Sequence, residues 1–208
     1  MNIKKQLITM NYSKGITIVP QYIVIHETGN VSSGANAQMH YKYWNTNINA
    51  QSSVHFVVDD KEVIQLAELS WRCWHVGDNK RHSSIVNGNS IGIEICVNAD
   101  GDYTKARQNA IELVKYLMPI LKIDADHVVR HFDSSGKHCP ATMLDKPELW
   151  VDFKNQLQPV MAYLEALKIC CKEVGLDESY WTAKQDIDKY FDDLIIKFAK
   201  YINTKEIK

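Results

Sequence analysis

The chain has 208 residues, 45% of them apolar and 24% charged, which is enough to bury one core and carry a small appendage. Its 24 Lys and Arg against 25 Asp and Glu leave a formal charge of −1, so no cationic field is available for a general nucleic-acid binder. Apolar runs such as Tyr22–Ile25 and Ile91–Ile95 fall far short of the ~20 residues that cross a bilayer, so membrane insertion is not expected.

The N-terminal stretch from Met1 to Asn11 is too short and polar for the apolar centre of a secretory signal, so synthesis in the cytoplasm without a signal peptide is expected. The first ordered run, Tyr22–His26, is β-branched and stands between Pro20 and the turn-rich Glu27–Asn30, which predicts a buried strand. Ala35 to Trp44 lacks Pro and Gly and predicts a helix capped at Ser33 or Asn36. Val54–Val58 and Val63–Ala67, joined by Asp59, Asp60 and Lys61, predict a hairpin. Glu68 to Ser90 predicts an unusually long loop, the kind that often carries function. Ile91–Val97 predicts a second buried strand, followed by an amphipathic helix capped at Thr104 and running to about Leu121. Val128–Arg130 predicts a short strand, His131 to Ala141 a loop, and Pro147 to about Leu157 a helix. Alternating strands and helices over residues 1–158 predict an α/β domain. After Pro159, two amphipathic stretches, Met161–Val174 and Lys184–Ile202, predict a helical appendage over 161–208.

Five cysteines, Cys73, Cys96, Cys139, Cys170 and Cys171, are odd in number and lack CxxC spacing, which fits a reducing compartment and neither a disulfide framework nor a structural zinc finger. His26 ends the first strand, while His131 and Cys139 sit eight positions apart around Gly136, so the three could meet as ligands of a catalytic metal. The spacing also admits a hydrogen-bonded strand-end histidine and a buried structural thiol. Lys137, two residues before Cys139, would stand on the same side of an extended segment. Glu94 is the one charge in the strand Ile91–Val97, where a carboxylate costs stability unless it is paired or used. An ion pair is one reading, and a general base beside a metal site is the reading the other residues favour. A nucleobase deaminase would need a Pro-Cys-x-x-Cys segment, which this chain lacks.

Five motifs now stand in order: Tyr22-Ile-Val-Ile-His-Glu-Thr28, Ser53-Val-His-Phe56, Trp74-His-Val-Gly77, Ser90-Ile-Gly-Ile-Glu94 and the His131 to Pro140 loop. Together they resemble the zinc-dependent N-acetylmuramoyl-L-alanine amidases of phage and bacteria, a family that includes peptidoglycan recognition proteins, over residues 20–158. The resemblance implies a mixed central β-sheet flanked by helices, with a zinc site in a surface groove that holds peptidoglycan glycan and its stem peptide. It implies that His26, His131 and Cys139 bind zinc, that Glu94 and Lys137 are catalytic, and that His75, Trp74 and His55 touch substrate. Some members carry a catalytic tyrosine where this chain has Val54, so the glutamate variant of the chemistry is expected. Of the aromatics near the motifs, Trp44, Trp71, Trp74 and Tyr103, one or two are expected against the glycan.

The biological role implied is a phage or prophage endolysin that splits the amide between the muramic acid lactyl group and L-alanine, with the 161–208 segment anchoring it to the wall or pairing two copies. The alternatives are a non-catalytic peptidoglycan-binding recognition protein, against which Cys139 speaks, and a cytosolic amidase recycling wall fragments.

Overall fold

The computed structural model describes residues 2–77 and 84–158. In chain order the elements are β1 (Ile3–Lys5), β2 (Tyr12–Thr17), β3 (Tyr22–Glu27), α1 (Ala37–Thr46), β4 (Phe56–Val58), β5 (Val63–Gln65), β6 (Trp71–Cys73), β7 (Ser90–Ile95), α2 (Tyr103–Leu121), a 3-10 turn (Ala125–His127), β8 (Val128–Arg130), α3 (His131–Ser135), α4 (Ala141–Asp145) and α5 (Pro147–Leu157). These belong to a compact unit spanning Met1–Leu157. The helices expected at Met161–Val174 and Lys184–Ile202 lie outside the described residues.

Six strands form one sheet in the order β1-β5-β4-β7-β3-β8, and the remaining two, β2 and β6, pair as an antiparallel ribbon. Only the β4–β5 hairpin is antiparallel in the large sheet; β3, β4, β7 and β8 run parallel, which gives the expected mixed sheet. Side chains alternate between the two faces. Ile23, Ile25, Ile91, Ile93 and Ile95 pack with Leu113 and Val114 of α2 and Phe153 of α5 in one core. On the opposite face Val57, Ile64 and Leu66 pack with Ala37 and Trp44 of α1. Strands buried on both faces read as continuous apolar runs, so a charged residue within them has to be explained by the site.

The helix ends differ in part from expectation. Asn36 caps α1, its side chain accepting from Met39 N, as the sequence allows. α2 is capped by Asp102, whose side chain accepts from Lys105 N, and not by Thr104; a carboxyl group at that position both satisfies an orphan donor and faces the positive end of the helix dipole. α5 is held against α2 by Arg107, which reaches Asp152 at 2.6 Å and the Leu149 carbonyl at 3.1 Å.

The long loop expected from Glu68 to Ser90 contains β6, which pairs with β2, and the Tyr12 ring stacks on Trp71 with centroids 4.3 Å apart. The three residues Trp-Arg-Cys of β6 are too few to show a period, and β2 carries Lys14 and Gly15, so neither strand stands out in the sequence. The loop expected after β8 instead opens with α3, a single helical turn ended by Gly136 in the left-handed conformation, φ 80°. No helix among the described residues is long and apolar enough to cross a membrane.

Candidate active site

The parallel strands β3, β7 and β8 all finish at the same edge, and in open α/β sheets ligands bind beyond the carboxyl ends of such strands. His26, next to last in β3, is register partner of Glu94 in β7, so the two side chains leave the same face side by side. Arg130 pairs with Ile25, which places His131 at the end of β8. The start of α3 is pinned there by Asp133, which accepts from the Arg130 backbone N–H at 2.8 Å and from its guanidinium at 2.8 Å.

Gly136 then turns the chain back. Phe132 N donates to the Cys139 carbonyl at 2.8 Å, and Cys139 N donates to the Lys137 carbonyl at 2.7 Å. The segment between Lys137 and Cys139 is thus a tight turn rather than the extended piece the sequence suggested, yet both residues line the same groove.

His26 Nδ1 lies 3.0 Å from His131 Nδ1 and 4.0 Å from Cys139 Sγ, and the three ligand atoms all lie within 4.8 Å of one another. A tetrahedral zinc with the usual Zn–N and Zn–S bonds needs ligand separations of about 3.3 to 3.6 Å, so small adjustments close this set around one ion. The donor chemistry fits as well. Burial holds His26 well below the ordinary histidine range, helped by the neighbouring His131, so it is a neutral ring with a lone pair to give. Burial pushes the Cys139 thiol up to about 12, a value that a cation in its place would reverse by substituting for the proton.

Glu94 is the half-buried carboxyl group of the site. Burial pushes it up to about 8, Lys137 opposes the shift and Glu27 adds to it. Among the described residues its Oε2 has no hydrogen-bond partner, which leaves one oxygen of a desolvated carboxyl group free to take a proton. The ion-pair alternative would satisfy that oxygen, and no described residue does so.

The groove holds about 600 Å³ and is lined by the three metal-ligand candidates, Glu94 and Lys137, with Trp44, Trp74 and Tyr43 among its walls. Of the four aromatics considered, Trp44 and Trp74 reach it. Trp71 stacks on Tyr12, and the Tyr103 hydroxyl donates to Glu27 at 2.5 Å.

His55 does not meet its expected role as a substrate contact. It is wholly buried, its Nδ1 accepts from Gly92 N at 3.1 Å, and its Nε2 faces the Trp71 carbonyl at 2.9 Å. Burial pushes it down to about 4, so it is a neutral ring that ties β7 to β6. His75 is 8% exposed at the groove wall, with its two nitrogens at 3.1 Å from His26 Nε2 and 3.3 Å from the Ser90 carbonyl.

Glu27, which no motif singled out, also belongs to the site. Its backbone N–H points at Cys139 Sγ at 3.4 Å, and its Oε2 accepts from Thr142 N at 2.9 Å and Thr142 Oγ1 at 3.0 Å. This one residue therefore joins the end of β3 to the start of α2 and to the segment that carries Cys139. The signal was present, because Glu27 is a charge closing an apolar strand, the same anomaly that singled out Glu94. Glu27→Ala strips acceptors from three half-buried donors and is expected to lower stability by about 1 to 3 kcal/mol, read as a shift of the urea midpoint. A midpoint within error of the parent would remove Glu27 from this role.

Comparison with known proteins gives consistent neighbours. The family model described as N-acetylmuramoyl-L-alanine amidase matches residues 17–142. The chain is 41% identical over 157 residues to the N-acetylmuramoyl-L-alanine amidase CwlH of Bacillus subtilis (strain 168), covering 74% of this chain and 60% of that protein. It is 43% identical over 144 residues to the amidase XlyA of the same organism, covering 69% of this chain and 46% of that protein. The chain thus spans about half the length of these relatives. Among solved structures, the catalytic domain of XlyA superposes with a TM-score of 0.68 at 41% identity, covering 76% of this chain and 100% of that domain. A mutant endolysin from Bacillus subtilis superposes with a TM-score of 0.67 at 42% identity, covering 76% of this chain and 99% of the other.

Proposed function

The chain belongs to the N-acetylmuramoyl-L-alanine amidase family, and on that premise we propose that it is a zinc-dependent hydrolase of peptidoglycan, cutting the amide between the muramic acid lactyl group and L-alanine. Its setting is that of an endolysin acting on the cell wall, a role supported by the similarity to the Bacillus subtilis endolysin structure. The observation that carries the reading is the convergence of His26, His131 and Cys139 on one point of a groove that Glu94 and Lys137 also line.

His26, His131 and Cys139 would hold the zinc, which when bound supplies a Lewis acid that polarises a carbonyl and acidifies water. Glu94 takes the proton of the attacking water, its desolvated oxygen being the acceptor, and delivers it to the amine of the departing L-alanine. Lys137 presents an ammonium to the same groove and stabilises the negative charge that develops on the carbonyl oxygen. Trp74, half-buried at the groove wall, offers an aromatic surface for the sugar.

Purified sacculi incubated with the zinc-loaded full chain should release new L-alanine amino termini without new reducing sugar ends. Reducing ends without such termini would mark a glycosidase and contradict the proposal. Lys137→Ala should retain zinc while turnover falls ~100- to 1000-fold, the usual effect of losing one oxyanion donor. A rate within a few-fold of the parent would place the ammonium outside the chemistry.

A further inference from the structure

We infer that His75 and Ser90 act together as a positioning pair that sets the tautomer of His26, so that its Nδ1 lone pair faces the metal position. This inference rests on the zinc reading above and assigns a residue pair that works behind the ligands.

The places where protons can sit decide the tautomer. Ser90 Oγ lies 2.7 Å from the Val86 carbonyl, which cannot donate, so the hydroxyl proton is committed there. His75 Nε2 faces both the Ser90 carbonyl and that same Ser90 Oγ, each at 3.3 Å. Neither oxygen has a proton to give, so His75 Nε2 must carry one. His75 is buried and meets other rings, a carbonyl and a hydroxyl, with no carboxylate beside it to hold a second proton, so the single N–H of a neutral imidazole sits on Nε2 and Nδ1 is a bare acceptor. It stands 3.1 Å from His26 Nε2, which must therefore be the donor. A neutral His26 with its proton on Nε2 has none on Nδ1, the nitrogen facing His131 and Cys139. The order Ser90, His75, His26 thus fixes one nitrogen as the ligand atom before any ion arrives.

A glycine makes the arrangement sterically possible. The His75 ring lies against β7 so closely that a Cβ on Gly92 would come within 2.8 Å of its Cγ and Nδ1. The ring also meets His26 edge-on, with centroids 5.2 Å apart, and the His75 backbone N–H is held by Asn87 at 2.9 Å. Any side chain at residue 92 would push the His75 ring off its line to His26.

Hydrogen-bond partners of metal-bound histidines commonly contribute 10- to 100-fold in metal affinity. Zinc affinity of the full chain, measured by competition with a chelator, should therefore fall ~10- to 100-fold in His75→Ala. Gly92→Ala should shift it in the same direction, and His75→Asn, which keeps an acceptor near the Nδ1 position, should recover most of the loss. Long-range proton–nitrogen spectra of the metal-free parent chain should show His26 and His75 both protonated on Nε2. Unchanged zinc affinity in His75→Ala and Gly92→Ala, or a proton on His26 Nδ1 in the spectra, would overturn the inference. A parent chain that binds no zinc would instead sink the functional reading, while the spectra would still decide the tautomer.

Discussion

Cys139→Ala should lose zinc and hydrolysis together, while the fold survives. Cys139 supplies the only anion among the three ligand candidates, so without it two neutral imidazoles remain to hold a dication. The side chain is buried and small, and its removal from the groove wall opens little space compared with a core truncation. The surrounding turn is held by backbone bonds between Phe132, Lys137 and Cys139, and by Glu27 gripping Thr142, none of which needs the sulfur. Metal analysis of the purified variant should show well below one zinc per chain, and release of L-alanine termini should drop to the background. A variant that keeps its zinc and its rate would remove Cys139 from the ligand set.

Glu94→Gln should keep zinc and lose turnover by ~100- to 10,000-fold, the range for removing a positioned general base. The amide preserves size and hydrogen-bonding capacity but cannot accept a proton and return it. A second signature separates this from simple disruption. In the metal-stripped protein Glu94 is raised to about 8 from an ordinary value near 4.5, so between those limits the folded state holds a proton that the unfolded state has released. Stability contributed by that protonated group falls as pH rises through the window. The histidines act with the opposite sign, because burial lowers His26, His55 and His75, and their effect is complete above about 6.5. Between pH 6.5 and 8 the metal-free parent should therefore lose stability relative to Glu94→Gln. Parallel stability curves over that interval, or a variant as fast as the parent, would contradict the assignment.

Much of the fold was legible because its strands are buried on both faces and declare themselves as β-branched runs. β3, β7 and β8 lie within a residue or two of the expected spans, and α5 occupies Pro147–Leu157 as its proline and apolar spacing suggest. What escaped was what depends on tertiary pairing. β6 exists because β2 offers it backbone partners and the Tyr12 ring a stacking surface, neither visible from Trp71–Cys73 alone. Within the site, ligand types could be proposed from His26, His131 and Cys139, but the distance between chain positions 26 and 139 is closed only by the parallel pairing of β3 with β8 and the turn at Gly136. The histidines show the limit most clearly. His55 and His75 have the same residue type and adjacent motifs, yet one ties strands together and the other stands behind His26, a distinction set by which nitrogen meets which carbonyl.

Zinc-edge X-ray absorption of the full chain reads directly whether two imidazoles and one thiolate build one metal centre. A single sulfur at about 2.3 Å and two imidazole nitrogens at about 2.0 to 2.1 Å are expected, with a light atom completing four-coordination. A spectrum without sulfur, or with two or more sulfurs, would contradict it.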